Sequence, residues 1–414
     1  VLLFFLSSGL FLAWSLGANN AANVFGPAVG TRMVSFRTAA IITSVFVLLG
    51  AVAEGSGATR TLGELGSVNA LAGAFIVGLA AAVTTALMTR AGLPISTSQA
   101  IVGAIVGWNL FSGSVTDIDS LVEIVSTWVI SPVLAGVFAM LLFWLAKYLL
   151  SHTRIHILRL DAWTRVAFLL AGAFGAYSLG ANNIANAMGV FVTVAPFKGF
   201  VLGGLTITGT QILFAIGGIA IGVGVATYSE KVMKTVGAEI FRLSPVAGLV
   251  VVLAEALVLF LFGSVALKQW LVSHGLPSIP LVPVSSSQAV VGAVLGIAVA
   301  KGGRNIQYRV LGRISIGWVV TPLLACLMAW VGLFVMQNVF DQRVYLPIRF
   351  SFDHQTMQTL EREGLDVSEL TFLEGRTFAN PASLQRELLH ISSLDKHERY
   401  IIYSVAQCPV TENP

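Results

Sequence analysis

Apolar stretches of about 20 residues recur through the first 340 positions of this chain, and a bilayer is the solvent that such a pattern suits. No water reaches a backbone N–H or C=O there, so each stretch must be helical or lie against protein. A secretory leader cannot account for the pattern, because it does not stop after the first stretch. With 56% hydrophobic and 11% charged residues, the expected class is an all-α polytopic protein, multi-pass in the cell membrane and bathed in lipid. Residues 1–340 hold 17 Lys/Arg and 9 Asp/Glu, and residues 341–414 hold 7 and 11. The basic excess therefore sits in membrane-flanking loops, where it orients the protein, and is not a nucleic-acid footprint. Cys326 and Cys408 suggest no disulfide framework, and no residues have zinc-ligand spacing, so no cofactor is expected.

Ten segments are expected. Five lie near 1–29, 38–53, 68–89, 101–111 and 124–150. Five more lie near 166–194, 200–226, 245–267, from Pro283 to Lys301, and 314–336. This divides the chain into a first transmembrane repeat (1–150), a cytoplasmic connector (151–165), a second repeat (166–340) and a C-terminal tail (341–414). An odd number of segments leaves the second repeat upside down relative to the first. Charge placement agrees with an outside N-terminus. Arg32, Arg37, Arg90, the cluster from Lys147 to Arg165, and the basic loops 230–242 and 301–313 fall inside; Asp117, Asp119 and Glu123 fall outside with the isolated Arg60, Lys198 and Lys268, as does the tail. A loop is expected around Gly55, Gly57, Arg60 and Glu64. In the tail, 360–362 and 384–389 read as helix and Tyr400–Val405 as a strand, giving a small soluble α+β module or a partly ordered appendage. His390 and His397 stand among charged residues and read as solvated surface.

Two polar stretches interrupt the apolar sequence, and each is written twice. Pro94-Ile95-Ser96-Thr97-Ser98-Gln99 is answered by Pro283-Val284-Ser285-Ser286-Ser287-Gln288. A proline, then hydroxyls and an amide, then an apolar run is the layout of a helix N-terminus, where free N–H groups and the helix dipole favour an anion. Two such ends aimed at one point would cradle a small tetrahedral oxyanion. The bland reading is that the serines cap helices and bond across packed ones. The second stretch, Gly17-Ala18-Asn19-Asn20 with Asn23, is answered by Gly180-Ala181-Asn182-Asn183 with Asn186. A broken helix is expected at each copy, with amides that suit a coupling cation or a bound oxyanion; plain interhelical bonding is the alternative. Glu255 is the most deeply placed ionisable residue, aligned with Ala80 of the first half, and is a candidate proton carrier or a structural partner. Glu54 and Arg60 read as structural or gating residues.

At these motifs residues 1–340 resemble the inorganic phosphate transporter family of secondary carriers; the tail is outside the resemblance. The resemblance implies a homodimer, phosphate uptake coupled to Na+ or H+, and an anion held by the Pro-hydroxyl hairpins. It places substrate contacts at Ser96, Thr97, Ser98, Gln99, Ser285, Ser286, Ser287, Gln288, Asn23 and Asn186. Coupling-ion contacts fall at Asn19, Asn20, Asn182 and Asn183, with Glu255 for a proton. The family usually reads Gly-Ala-Asn-Asp, whereas this chain has Asn20 and Asn183 where the carboxylates would stand, so a Na+ ion there would meet neutral carbonyls. Phosphate brings a proton that needs an acceptor; sulfate wants donors alone. Phosphate is the leading substrate and sulfate, proton-coupled, the alternative. The spans offer no nucleophile–base pair for an enzyme, and broken inverted helices argue for alternating access over a passive channel.

Overall fold

Among the described residues, seven helices are long and apolar enough to cross a membrane. The structure is a computed structural model that describes residues 2–90, 96–153, 155–202, 205–235, 244–302, 308–363, 365–378, 381–388, 391, 394 and 396–409. Pro94, Ile95, Arg154, Glu239, Arg242, Arg304 and His390 lie outside the described residues. In chain order the helices are α1 (Leu2–Gly30), α2 (Phe36–Glu54), α3 (Ser56–Leu65), α4 (Leu71–Arg90), α5 (Thr97–Ser112) and α6 (Ile118–His152). After α7 (Ile157–Met188) comes an antiparallel hairpin, β1 (Phe200–Leu202) and β2 (Leu205–Ile207). Then follow α8 (Gly209–Thr235), α9 (Pro245–Gly263), α10 (Val265–Ser273), α11 (Ser286–Ala300) and α12 (Tyr308–Asn338). Helices α5 and α11 have 16 and 15 residues. At 1.5 Å per residue they run about 24 and 22 Å, short of the roughly 30 Å hydrocarbon core. Both begin abruptly at a capping serine.

Four expectations are corrected. First, neither asparagine stretch breaks its helix: α1 runs unbroken for 29 residues and α7 for 32. Leaving the helix would orphan backbone groups, and within the helix Asn19 Nδ2 donates to the Ser15 carbonyl of the preceding turn at 3.2 Å. Second, 56–65 is helical, because Ala58, Leu62 and Leu65 share one buried face. Third, the sixth segment starts nearer 157 than 166, since α7 begins at Ile157. Fourth, Tyr400–Val405 belongs to a helix, where Ile402 and Ala406, one turn apart, are both fully buried.

The bundle is interleaved. Helix α1 packs on α8 as α2 packs on α7, α5 packs on α12 as α11 packs on α6, and α1 packs on α4 as α7 packs on α9. Apolar side chains gain nothing over lipid by meeting each other, so close backbone contact must hold such crossings. Glycines supply it. A Cβ on Gly17 would stand 1.9 Å from the Ile221 carbonyl oxygen, and one on Gly180 would stand 2.1 Å from that of Val47. Gly103 meets the Pro322 carbonyl (2.1 Å) and Gly292 that of Pro132 (2.0 Å) in the same way.

The tail folds on its own core, built from Phe350, Phe352, Leu360, Leu370, Leu373 and Ile402. Strands β3 (Ile348–Ser351), β4 (Thr377–Phe378) and β5 (Gln407–Pro409) form an antiparallel sheet in the order β4-β3-β5. Around it lie α13 (His354–Arg362), a 3-10 turn (Val367–Leu373), α14 (Pro381–Leu388) and α15 (Lys396–Ala406). Asp353 caps α13 by accepting from the Thr356 amide at 2.7 Å, and this bond holds its carboxyl below the usual aspartate range. A strap ties the module to the bundle. Trp108 Nε1 donates to the Val344 carbonyl (3.0 Å), and Asn69 donates to the Leu346 carbonyl and accepts from its N–H (both 2.9 Å).

Gly180→Ala and Gly292→Ala are each expected to destabilise the protein by about 1–3 kcal/mol, because a methyl group would have to displace a backbone carbonyl. Gly312→Ala, at a helical position with nothing near the new Cβ, should be neutral or slightly stabilising. Thermal unfolding in detergent measures all three.

Candidate functional site

Helices α5 and α11 start identically. Ser96, in extended conformation, accepts from the Gln99 amide at 3.3 Å, and Ser285 accepts from the Gln288 amide at 3.2 Å. These are N-caps, so part of the bland reading holds: the first hydroxyl of each stretch is engaged in ending its helix. The hydroxyls after it reach across. Asn23 on α1 donates to Ser286 Oγ on α11 (3.1 Å), and Asn186 on α7 donates to Ser98 Oγ on α5 (2.9 Å). Each asparagine stretch thus grips the hydroxyl stretch of the opposite half. Ser98 Oγ in turn donates to the Val284 carbonyl (3.2 Å), so the two hydroxyl stretches touch directly.

The junction is shielded from solvent. Ser96, Thr97, Ser98, Gln99, Ser285, Ser286, Gln288, Asn20, Asn182, Asn183 and Asn186 are buried, while Asn19, Asn23 and Ser287 are half-buried. Within it, Asn186 also donates to Asn183 Oδ1 (3.0 Å), and Asn182 binds the backbone of Val282 and Val284. Several polar atoms here have no hydrogen-bond partner among the described residues: Gln99 Oε1, both terminal atoms of Gln288, Asn183 Nδ2 and Asn186 Oδ1. Buried amides are normally satisfied, and a cluster of unsatisfied ones marks a place built for something else. The set offers donors and acceptors with no fixed charge, beside two helix N-termini whose dipoles favour negative charge.

Other candidates stand apart from this junction. Among the described residues, no hydrogen bond links Asn20 to Asn183, or Glu255 to any motif residue. Glu255 is 1% exposed and neither of its oxygens has a partner among those residues. Glu54 is structural: it accepts from Ser264 Oγ (3.2 Å), Val265 N (2.6 Å) and Ala266 N (3.2 Å), and so caps α10, the helix that precedes the Pro283 stretch. Arg60 is exposed and pairs with Glu64 at 3.0 Å. The backbone of 282–284 is a part of the site that its residue types do not advertise, because two valines and a proline contribute only carbonyls and an N–H.

A multi-pass helical bundle in which paired short helices meet at a buried, uncharged polar junction is the architecture of a membrane permease, not of an enzyme. The phosphate transporter family model matches residues 16–329 and 276–392, and the chain belongs to that family. The second match runs past residue 340, so the family likeness reaches into the tail. Relatives include a candidate phosphate permease of Pyrococcus furiosus, 27% identical over 403 residues, covering 78% of this chain and 92% of the relative. A sulfate permease of Bacillus subtilis is 29% identical over 340 residues, covering 80% and 88%. A solved structure of a sodium-dependent phosphate transporter shares the fold, with a TM-score of 0.64 at 24% identity, covering 82% of this chain and 99% of the other.

Glu54→Ala strands the donors of Ser264, Val265 and Ala266. It is expected to cost about 1–3 kcal/mol or more of stability, read as a lower unfolding midpoint of the purified protein. Glu54→Gln, which keeps one acceptor, should recover part of that loss.

Proposed function

We propose that the protein is a secondary carrier that takes up inorganic phosphate by alternating access, coupled to Na+ or H+. The observation that carries this reading is the contact between the N-termini of α5 and α11, each gripped by an asparagine from the other half. The anion would sit against the first turns of both helices, at Ser96, Thr97, Ser98, Gln99, Ser285, Ser286, Ser287 and Gln288, with Asn23 and Asn186 alongside. The matched crossings support two repeats, 1–150 and 166–340, of inverted topology, and an extracytoplasmic tail follows from the charge pattern. The weakly buried faces of α6 and α12 suit lipid and a homodimer contact.

Phosphate leads because the junction holds spare acceptors as well as donors. Gln99 Oε1, Gln288 Oε1 and Asn186 Oδ1 can accept a hydrogen bond from the P–O–H group of monohydrogen phosphate, which sulfate lacks. Sulfate is the second reading, favoured by the neutral Asn20 and Asn183 and by the similarity to a sulfate permease. For coupling, a Na+ ion would use the carbonyls of Asn20 and Asn183, with Asn19 nearby on α1. A proton would use Glu255, a buried carboxyl free of any partner among the described residues.

Calorimetry on the purified protein, with phosphate or sulfate and with or without sodium, tests the substrate. Phosphate should bind, and Ser286→Ala, which removes a hydroxyl donor, and Ser98→Ala, which strands the Val284 carbonyl and the Asn186 amide, should each weaken it by about tenfold or more. Sulfate binding without phosphate binding selects the second reading, and unchanged affinity in both variants would sink the paired-helix site. For the driving ion, Glu255→Gln should flatten the pH dependence of uptake into proteoliposomes. If sodium alone drives uptake, that profile will match wild type.

A further inference from the structure

We infer that Asn182 is a positioning residue: it holds the chain just before α11 so that this helix presents its N-terminus to the anion, and it does not serve as a coupling-ion ligand. The inference rests on the carrier reading above and assigns Asn182 a different task within it.

Asn182 is fully buried, and both ends of its amide are committed to one stretch of backbone. Its Nδ2 donates to the Val282 carbonyl at 3.0 Å, and its Oδ1 accepts from the Val284 N–H at 2.9 Å. That is the bond pair a neighbouring strand would supply, spanning Pro283, which has no N–H to offer. The rest of the stretch is held as firmly. Val282 N donates to the Phe262 carbonyl at the end of α9 (3.2 Å), and Ser98 on α5 donates to the Val284 carbonyl (3.2 Å). The next residue is Ser285, the cap that starts α11. Gly263 makes room for this arrangement, since a Cβ there would lie 3.3 Å from Asn182 Cβ. Neighbouring Asn183 differs, for its Nδ2 has no partner among the described residues. Asn19, at the matching place on α1, is half-buried and donates within its own helix. Asn182 therefore supplies two of the four bonds that set the aim of α11, and a side chain with donor and acceptor both spent on backbone is poorly placed to exchange an ion in every cycle.

The two roles make opposite predictions for Asn182→Asp. The variant keeps the size and the acceptor for Val284 but sets a carboxylate oxygen against the Val282 carbonyl. For the positioning role, phosphate affinity relative to wild type should fall about tenfold or more near pH 8. It should recover as pH is lowered toward about 5, where the neutral acid donates an O–H to Val282. For an ion ligand, the added carboxylate would tighten sodium binding near pH 8 and leave phosphate affinity intact. Titratable groups on the elements packed on α7 are Arg37 and buried Glu54 of α2, Arg60 and Glu64 of α3, Tyr228, Glu230, Lys231 and Lys234 at the end of α8, and buried Glu255 of α9; α7 itself has Arg159, Asp161, Arg165 and Tyr177, and α1 and α5 carry none. All are present in wild type, so the ratio of variant to wild type at each pH removes their contribution. The measurement is calorimetry with phosphate and sodium on the full chain, and recovery at low pH shows that the variant is folded. A ratio that stays near one at every pH, or tighter sodium binding with intact phosphate binding, overturns the proposal. Gly263→Ala gives an independent arm, because it presses on Asn182 without changing its amide. Weaker phosphate binding with a wild-type pH profile supports the role, and wild-type affinity overturns it. Wild-type protein that binds neither phosphate nor sulfate would end the carrier reading itself, before any variant is compared.

Discussion

Backbone pressed against backbone at glycine is the contact on which the rest of the bundle depends. In lipid, burying one apolar side chain against another releases little water, so helices are held by close approach and by polar bonds that have no alternative partner. Gly17 against Ile221 and Gly180 against Val47 set the α1–α8 and α2–α7 crossings; Gly103 against Pro322 and Gly292 against Pro132 set α5–α12 and α11–α6. Each crossing joins one of α1–α6 to one of α7–α12. The polar junction follows from this geometry: with the helices locked in these positions, Asn23 reaches Ser286 and Asn186 reaches Ser98.

On the carrier reading proposed above, the junction holds its anion without fixed charge. An anion in a buried site must recover the hydration it gives up, and the groups on offer are helix N-terminal amides, hydroxyls and carboxamides. Carboxamides serve a protonated oxyanion well, because one residue offers a donor and an acceptor side by side. Their neutrality also spares the site the like-charge repulsion that carboxylates would impose on an anion. Glu54, a buried carboxylate that stands apart from the junction, is turned to architecture and caps the helix leading into the Pro283 stretch.

The membrane class, the two duplicated stretches and the helix starts at Ser96 and Ser285 were legible because each has a local cause: apolar run length, repetition, and a proline followed by hydroxyls. The asparagine stretches misled. Glycine and asparagine lower helix propensity in water, but here Gly17 and Gly180 let neighbouring backbones come close, and packing outweighs propensity. Tyr400–Val405 misled for a related reason, since its β-branched and aromatic residues suit a strand while burial of Ile402 and Ala406 selects a helix. The roles of Val282 and Val284, and the docking of Val344 and Leu346 on Trp108 and Asn69, use main-chain atoms that every residue carries. No residue type could have announced them.

Interleaving has a consequence for how the protein is made. The chain is synthesised from its N-terminus, so α1 enters the bilayer long before its partner α8 exists, and α2 before α7. Until then the glycine faces of α1 and α5 have no backbone to meet, and Asn23 and Ser98 lack the groups they finally bond. The early helices must therefore wait, sheltered by the insertion machinery or by provisional contacts with one another. Final packing is a late event in which α7 to α12 thread between elements already in place. Such long-range closure is slow, and a chain released before α12 is complete would leave α5 without its partner.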